Sequence, residues 1–158
     1  REFAGSETPF RLVNAGVSGS TTRAGLARVA WLMKQEPRVV VVQLGANDGF
    51  RGLELEETEK NVRAIIDGVR EAGARPLLLG MKLPPNYGAD YTAGFEAIFE
   101  RIAKETGVDY VPFFMEGVAG EPELNLADGI HPTAEGHRKL AANLRDPLRN
   151  ALTADGAR

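Results

Sequence analysis

Runs of consecutive apolar residues alternate along the chain with segments in which apolar residues recur every three or four positions. The run Val39–Val42 is entirely β-branched, and residues 77–79 are three consecutive leucines. Such runs are typical of strands buried on both faces of a parallel sheet. Shorter apolar runs at residues 11–14 and 108–111 predict two further strands. The chain therefore has four candidate strands.

Helical spacing of apolar residues predicts a helix after each of these strands, at residues 22–35, 56–71, 91–102 and from Ala134 onwards. Thr21 or Thr22 is suited to cap the first helix, and a glycine follows the second and third. Pro147 predicts that the last helix ends or kinks near Asp146. Strand and helix repeat at intervals of about 30 to 40 residues, which predicts a doubly wound parallel α/β fold.

Length and composition narrow the classes of function. The 158 residues suit one domain, residues 1–158, and the absence of cysteine excludes disulfides, thiolate catalysis and Cys-ligated zinc. A net charge of -3 without a basic run argues against a nucleic-acid partner. No apolar stretch approaches the roughly 20 residues of a membrane span, so we expect no stable membrane insertion.

The segment from Asp128 to His131 carries the first candidate chemistry. An Asp three residues before a His on a loop can hold one ring nitrogen as a donor and leave the other free to accept a proton. The pair could then act as orienting acid and general base. The alternative is a turn aspartate and a histidine whose polar atoms are satisfied by the backbone.

Two glycine-containing segments also follow predicted strands, at the sheet edge where open α/β folds bind ligands. Asn47 could offer its side-chain NH2 to an oxyanion and Asp48 could brace the turn, or both could simply form a tight connection. Gly19 is a candidate backbone donor, although residues 14–21 match no phosphate-binding signature. Ser18, in a sequence similar to a nucleophile elbow, lacks the required glycine spacing and is interpreted as a turn residue.

The order Gly19, Asn47, then Asp128 and His131 resembles the second, third and fifth blocks of the SGNH (GDSL) hydrolases, in particular their bacterial thioesterase, protease and lysophospholipase branch. The similarity extends to residues 49–52, 83–88 and 112–116. The resemblance implies a flavodoxin-like sheet of order 2-1-3-4-5 and a serine hydrolase that needs no metal or cofactor. It also implies oxyanion-hole donors at Gly19 and Asn47, Asp128 as orienting acid and His131 as general base.

The family's nucleophile is the serine of a Gly-Asp-Ser motif, and this motif does not occur in the sequence. Ser6, Ser18 and Ser20 are poor substitutes by position. We therefore expect the first strand and its serine to precede this sequence, with residues 1–9 forming a linker or the tail of a helix. The resemblance further implies a periplasmic or secreted location.

The expected substrate is a small ester or thioester, and the expected state is a monomer. Asp48, Pro84, Tyr87 and Phe113 are candidate substrate contacts along an acyl groove, although core packing would also explain Phe113. A chain without a nucleophile could instead be an acyl- or glycan-binding module, and an unrelated flavodoxin-like phosphate binder is a further alternative. His137 fits a structural role better than metal binding with His131.

Overall fold

The computed structural model describes residues 10–154, which contain a three-stranded parallel sheet. The strands are β1 Val39–Val42, β2 Arg75–Leu79 and β3 Asp109–Val111, and they lie side by side in that order. All three lie where the apolar runs predict strands. Parallel neighbours require crossover connections, and each connection here contains a long helix.

Six α-helices accompany the sheet within residues 10–154. They are α1 Thr22–Leu26, α2 Val29–Met33, α3 Ala46–Phe50, α4 Leu55–Glu71, α5 Ala89–Thr106 and α6 Ala134–Thr153. Short 3-10 helices span Pro85–Tyr87 and Pro122–Leu124. Helix α1 begins at the predicted cap, because the Thr21 hydroxyl accepts a hydrogen bond from Ala24 N at 3.3 Å.

The core is centred on β2. Leu77, Leu78 and Leu79 are each at most 1% exposed, and because neighbouring strand residues point to opposite faces, both faces of β2 are covered. Helices α4 and α5 pack against β2 and against each other, and α6 packs on β2 and β3. This arrangement confirms the α/β class, and it leaves the carboxyl ends of the strands available for a site.

The predicted strand at residues 11–14 is not formed. Leu12 and Val13 are 75% and 46% exposed, and no strand within residues 10–154 lies beside them. Strand β1 is accordingly an edge strand of the described sheet. Val41 is 40% exposed, so the prediction that both faces of β1 are buried is wrong for these residues. Residues 1–9, the predicted linker or helix tail, lie outside the described residues.

The first predicted helix, residues 22–35, is two short helices. Arg28 N bonds to Gly25 O at 3.0 Å, which tightens the chain between α1 and α2. The Arg28 side chain reaches back to Ala15 O at 3.1 Å and so fixes this turn against the preceding loop. A single amphipathic pattern therefore covers two elements.

The prediction that α6 ends or kinks near Asp146 is also wrong, because α6 continues through Pro147 to Thr153. Proline lacks the N–H that would bond to Asn143 O, which normally weakens a helix. Ala151 and Leu152 beyond the proline are buried, and this packing offsets the lost hydrogen bond. Within residues 10–154, no helix has both the length and the apolar character required to cross a membrane.

Candidate active site

The predicted site residues lie on the segments that follow the strands. Residues 45–50 follow β1, residues 80–88 follow β2, and residues 112–133 follow β3 and lead into α6. Since the three strands are parallel, their carboxyl ends share one edge of the sheet. The segment that contains Gly19 is attached to this edge by hydrogen bonds.

Asp128 and His131 form a hydrogen-bonded pair. The distance between His131 Nδ1 and Asp128 Oδ2 is 2.8 Å. The other carboxylate oxygen, Oδ1, accepts from the backbone N–H groups of Ile130 and His131, both at 2.9 Å. With Nδ1 donating to the carboxylate, Nε2 is the ring nitrogen that can accept a proton. No group within residues 10–154 is hydrogen-bonded to Nε2.

The charge of Asp128 is maintained by its hydrogen bonds. The backbone N–H groups of His131 and Ile130, followed by the His131 ring, lower the pKa of Asp128 to about 2. The carboxylate is therefore ionised throughout the neutral range. An ionised carboxylate orients the imidazole and stabilises the imidazolium that forms when Nε2 takes a proton.

The loop that presents this pair is closed by backbone hydrogen bonds. Leu126 N donates to His131 O at 2.7 Å, and Thr133 N donates to Leu124 O at 2.9 Å. Thr133 then caps α6 by accepting from Gly136 N at 3.2 Å. A Cβ on Gly136 would lie 2.2 Å from Leu124 O, so only glycine allows the helix to approach the loop this closely. The His131 loop is thus held against the first turn of α6.

Gly19 occupies a tight turn. Ser20 N donates to Val17 O at 3.2 Å, and Gly19 adopts a φ of +73°, as the third residue of a type II turn requires. Ser18 is in this turn, as predicted. The Gly19 N–H has no hydrogen-bond partner within residues 10–154 and can donate to a ligand. Gly19 O accepts from Arg51 Nη2 at 3.0 Å, which connects the turn to the end of α3.

Asn47 lies in the first turn of α3, and the predicted tight connection after β1 is therefore a short helix. The side chain of Asn47 is half-buried, and within the described part of the chain its amide makes no hydrogen bond. An amide at the carboxyl edge of the sheet with free donors is chemically suited to an oxyanion hole. The roles of Gly19 and Asn47 in such a site stay predictions.

Asp48 points into the protein and is only 2% exposed. Its two carboxylate oxygens accept from Thr22 N at 2.9 Å and from Thr22 Oγ1 at 2.5 Å. Asn61 Nδ2 donates to the same hydroxyl at 3.1 Å, so α1, α3 and α4 meet in one buried polar cluster. This geometry favours a bracing role for Asp48 over the substrate contact that the sequence suggested.

The candidate groove residues lie on two of the edge segments. Pro84 is exposed, and the half-buried Tyr87 ring lies 6.0 Å from the Phe50 ring, centroid to centroid. Phe113 is half-buried, and Lys82 Nζ lies 5.5 Å from its ring centroid. Tyr87 therefore lies next to Phe50 of α3, whereas Phe113 lies next to Lys82. Their contact with substrate stays a prediction.

His137 is exposed on α6 and makes no hydrogen bond with His131. Residues 10–154 contain no group of three His, Asp or Glu side chains that could hold a metal ion. Three residues hold the Gly19 turn and α3 together, namely Thr22, Asn61 and Arg51. Sequence reasoning named Thr22 only as a possible helix cap and Arg51 only within residues 49–52, and it missed Asn61. Their partners are 26 to 39 residues away in the chain, and no local pattern marks them.

Residues 2–139 match the GDSL-like Lipase/Acylhydrolase family, and the chain belongs to this family. It is 46% identical over 145 residues to "Thioesterase 1/protease 1/lysophospholipase L1" of Escherichia coli (strain K12), covering 91% of this chain and 70% of that protein. It is 40% identical over 144 residues to "Esterase TesA" of Pseudomonas aeruginosa, covering 90% and 72%. The resemblance drawn from the motifs is confirmed.

Two solved structures are also similar to this chain. The crystal structure of TesA superimposes with a TM-score of 0.91 at 39% identity, over 96% of this chain and 84% of that chain. Psychrotrophic esterase EstA from Pseudoalteromonas sp., inhibited by monoethylphosphonate, gives a TM-score of 0.90 at 30% identity, over 97% and 84%. The fold predicted from the sequence is therefore that of known esterases.

Proposed function

We propose that this protein belongs to the serine hydrolases that cleave carboxylic esters and thioesters through an acyl-enzyme. The observation on which the proposal rests is the 2.8 Å contact between His131 Nδ1 and Asp128 Oδ2, which leaves Nε2 without a hydrogen-bond partner within residues 10–154. An imidazole oriented in this way is suited to activate a hydroxyl nucleophile.

In the proposed reaction a serine Oγ attacks the acyl carbonyl carbon while His131 Nε2 takes the hydroxyl proton. The carbonyl oxygen becomes an oxyanion, which the Gly19 N–H and the Asn47 Nδ2–H stabilise. Collapse of this intermediate breaks the bond to the alcohol or thiol, which leaves with the proton from His131. Water, deprotonated by His131, then attacks the acyl-serine and releases the acid and the free serine.

The relatives' names support this class of substrate, because they are a thioesterase and lysophospholipase and two esterases. The exposed segments around Pro84 and Tyr87 offer apolar surface to an acyl chain. None of the steps requires a metal or an organic cofactor. The proposed substrates are therefore small acyl esters or thioesters, processed by a monomer.

Labelling with a fluorophosphonate, followed by intact mass and peptide mapping, tests the proposal. The 158 residues contain three serines, Ser6, Ser18 and Ser20. We expect no adduct on these, and an adduct on a Gly-Asp-Ser serine in the product of the full reading frame where that reading frame encodes such a motif. An adduct on Ser18 or Ser20 would keep the hydrolase function and move the nucleophile. His131→Asn should abolish whichever labelling occurs.

A second candidate is a binding module for acyl groups. It is favoured by one observation, that no serine among residues 10–154 bonds to His131 Nε2. The binding function replaces the catalytic one if fluorophosphonate labels neither the 158-residue chain nor the product of the full reading frame, but both bind a fluorescent fatty acid saturably. If neither labelling nor binding occurs, both candidates are wrong.

A further inference from the structure

The Asp128–His131 pair lies on an exposed loop. The side chain of His131 is 68% exposed and that of Asp128 is 47% exposed. Hydrogen bonds in a short exposed loop compete with water, and small hairpins alone are marginally stable. A general base must nevertheless be kept within hydrogen-bond distance of its partner. The loop therefore requires an anchor in the interior.

Asn125, at the base of this loop, is 5% exposed. Its side-chain Nδ2 donates to Val118 O at 2.6 Å and to Glu121 O at 2.8 Å. Its backbone forms an antiparallel bridge with Pro132, directly after His131. The hydrogen bonds of this bridge lie on either side of Asn125, from Leu126 N to His131 O and from Thr133 N to Leu124 O. The Asn125 side chain attaches the closed loop to the segment before it.

The direction of the Asn125 amide is determined by its surroundings. If the amide were reversed, Oδ1 would face two carbonyl oxygens and both contacts would be repulsive. In the observed direction Oδ1 is buried and has no hydrogen-bond partner in the described part of the chain. A buried acceptor without a partner is unfavourable, so the two donor contacts must offset this cost.

The segment that receives these hydrogen bonds is itself fixed. Val118 is 0% exposed within the core. Asn143 of α6 holds the same segment nearer its start, donating from Nδ2 to Phe114 O at 3.3 Å and to Glu116 O at 2.9 Å. Asn125 therefore connects the His131 loop to a part of the chain that cannot move independently of the core.

We propose that Asn125 is a positioning residue for the general base: its amide holds the loop closed so that His131 Nδ1 stays on Asp128. This role rests on the proposed function, since it assumes that His131 accepts the proton. Asn125 does not touch the substrate or the reacting atoms. It acts through the loop backbone, by keeping Pro132 and Thr133 paired with the segment before Asp128.

The chain provides a direct measurement, because it contains two histidines, His131 and His137. Nitrogen-15 NMR of neutral imidazoles distinguishes the Nδ1–H from the Nε2–H tautomer. In the unaltered protein we expect His131 as Nδ1–H and the exposed His137 as mainly Nε2–H. In Asn125→Asp, which replaces both donors by acceptors, His131 should shift toward Nε2–H while His137 does not change.

The matched control is Asn143→Asp, which also removes two donors to backbone carbonyls but lies outside the loop base. It should lower the melting temperature and leave the His131 tautomer unchanged, because Val118, which accepts the shorter Asn125 hydrogen bond, stays buried in the core without Asn143. Asn125→Ser retains one hydroxyl donor and should give an intermediate shift. It also replaces Asn125→Asp if that variant does not fold.

Fluorophosphonate labelling of the full reading-frame product gives the second readout. For Asn125→Asp we expect the maximal labelling rate to fall about 10- to 100-fold with little change in reagent affinity, since a 1 Å misplacement of a catalytic group can cost about 100-fold. An unchanged His131 tautomer in both Asn125 variants would overturn the positioning role and leave the proposed function intact. If His131 of the unaltered protein is already mainly Nε2–H, the proposed function itself fails.

Discussion

Asp48 and Thr22 form a buried pair in which one carboxylate binds both the backbone N–H and the hydroxyl of the same residue, at 2.9 Å and 2.5 Å. Thr22 is the first residue of α1, so the carboxylate satisfies a helix N-terminal donor and interacts favourably with the helix dipole. Asp48 is adjacent to Asn47, and Thr22 is three residues after Gly19. The pair therefore connects the segments of both proposed oxyanion donors.

Asp48→Asn should lower the free energy of unfolding by about 1 to 3 kcal/mol, because one side-chain oxygen becomes an NH2 group that faces a Thr22 donor in a buried position. Urea denaturation followed by circular dichroism measures this change. Asp67→Asn, an exposed aspartate of α4, is the control and should change stability by no more than about 0.5 kcal/mol. Equal losses in the two variants would contradict a bracing role for Asp48.

Asn47→Ala should reduce the rate of acylation by about 100- to 1,000-fold, the usual cost of removing one oxyanion donor. The Asn47 amide has no partner within residues 10–154, so the melting temperature should not change. The rate is measured by stopped-flow acylation with a p-nitrophenyl ester, using whichever of the two proteins, the 158-residue chain or the product of the full reading frame, reacts with fluorophosphonate. Asn150→Ala, at an exposed position of α6, should behave like the unaltered protein. A full rate in Asn47→Ala would remove Asn47 from the oxyanion hole.

Arg51→Gln should slow acylation up to about 10-fold, because the charged hydrogen bond to Gly19 O that fixes the turn is lost. Arg51 is exposed, so we expect almost no change in the melting temperature. Arg51→Lys, which retains the charge, should recover part of the rate. The control is Arg38→Gln, an exposed arginine before β1. A similar rate in Arg51→Gln and Arg38→Gln would show that the Gly19 turn does not need this contact.

Glu59 should make stability depend on pH. The hydrogen bond from Arg101 is the largest cause that lowers its pKa, burial opposes it, and Arg63 lowers it further, to about 2. Because the folded-state pKa is below the ordinary 4.5, the stabilisation is fully present above pH 4.5 and is lost as the pH falls toward 2.

Glu59→Gln should therefore lower the free energy of unfolding at pH 7 by about 1 kcal/mol, a value reduced for the solvent exposure of its arginine partners. The difference from the unaltered protein should shrink as the pH falls below 4.5 and disappear only below the folded-state pKa of about 2. Chemical denaturation at several pH values measures this, with Glu56→Gln, an exposed position of α4, as the control. A difference that stays constant with pH would mean that packing, and not charge, is responsible.

The sequence was sufficient for those elements whose pattern is local. Helices α4 and α5 and strand β2 follow directly from apolar spacing, and the Asp128–His131 pair could be predicted because its members are three residues apart. The strand expected at residues 11–14 did not form, since a strand requires a neighbour with which to pair. Pro147 was misjudged because burial of Ala151 and Leu152 outweighs a local preference.

The supporting contacts of the site could not be read from the sequence. Arg51 and Gly19 are 32 residues apart, and Asn61 and Thr22 are 39 residues apart. Asn125 is close to its partners in sequence, but they are backbone carbonyls, which leave no mark on residue type. Physical chemistry thus identifies candidate catalytic groups more readily than the residues that hold them.

The proposed site has two halves, the general-base pair and the oxyanion donors. They differ in the length of chain that must become ordered before each half is formed. The general-base half, with its anchor, is connected by contacts that span three to nine residues. The oxyanion half requires closure of loops of 26 to 39 residues, each with a larger entropic cost. The oxyanion half is therefore completed only when the domain is. A partly unfolded protein in which these long loops are open would lack the means to stabilise a transition state.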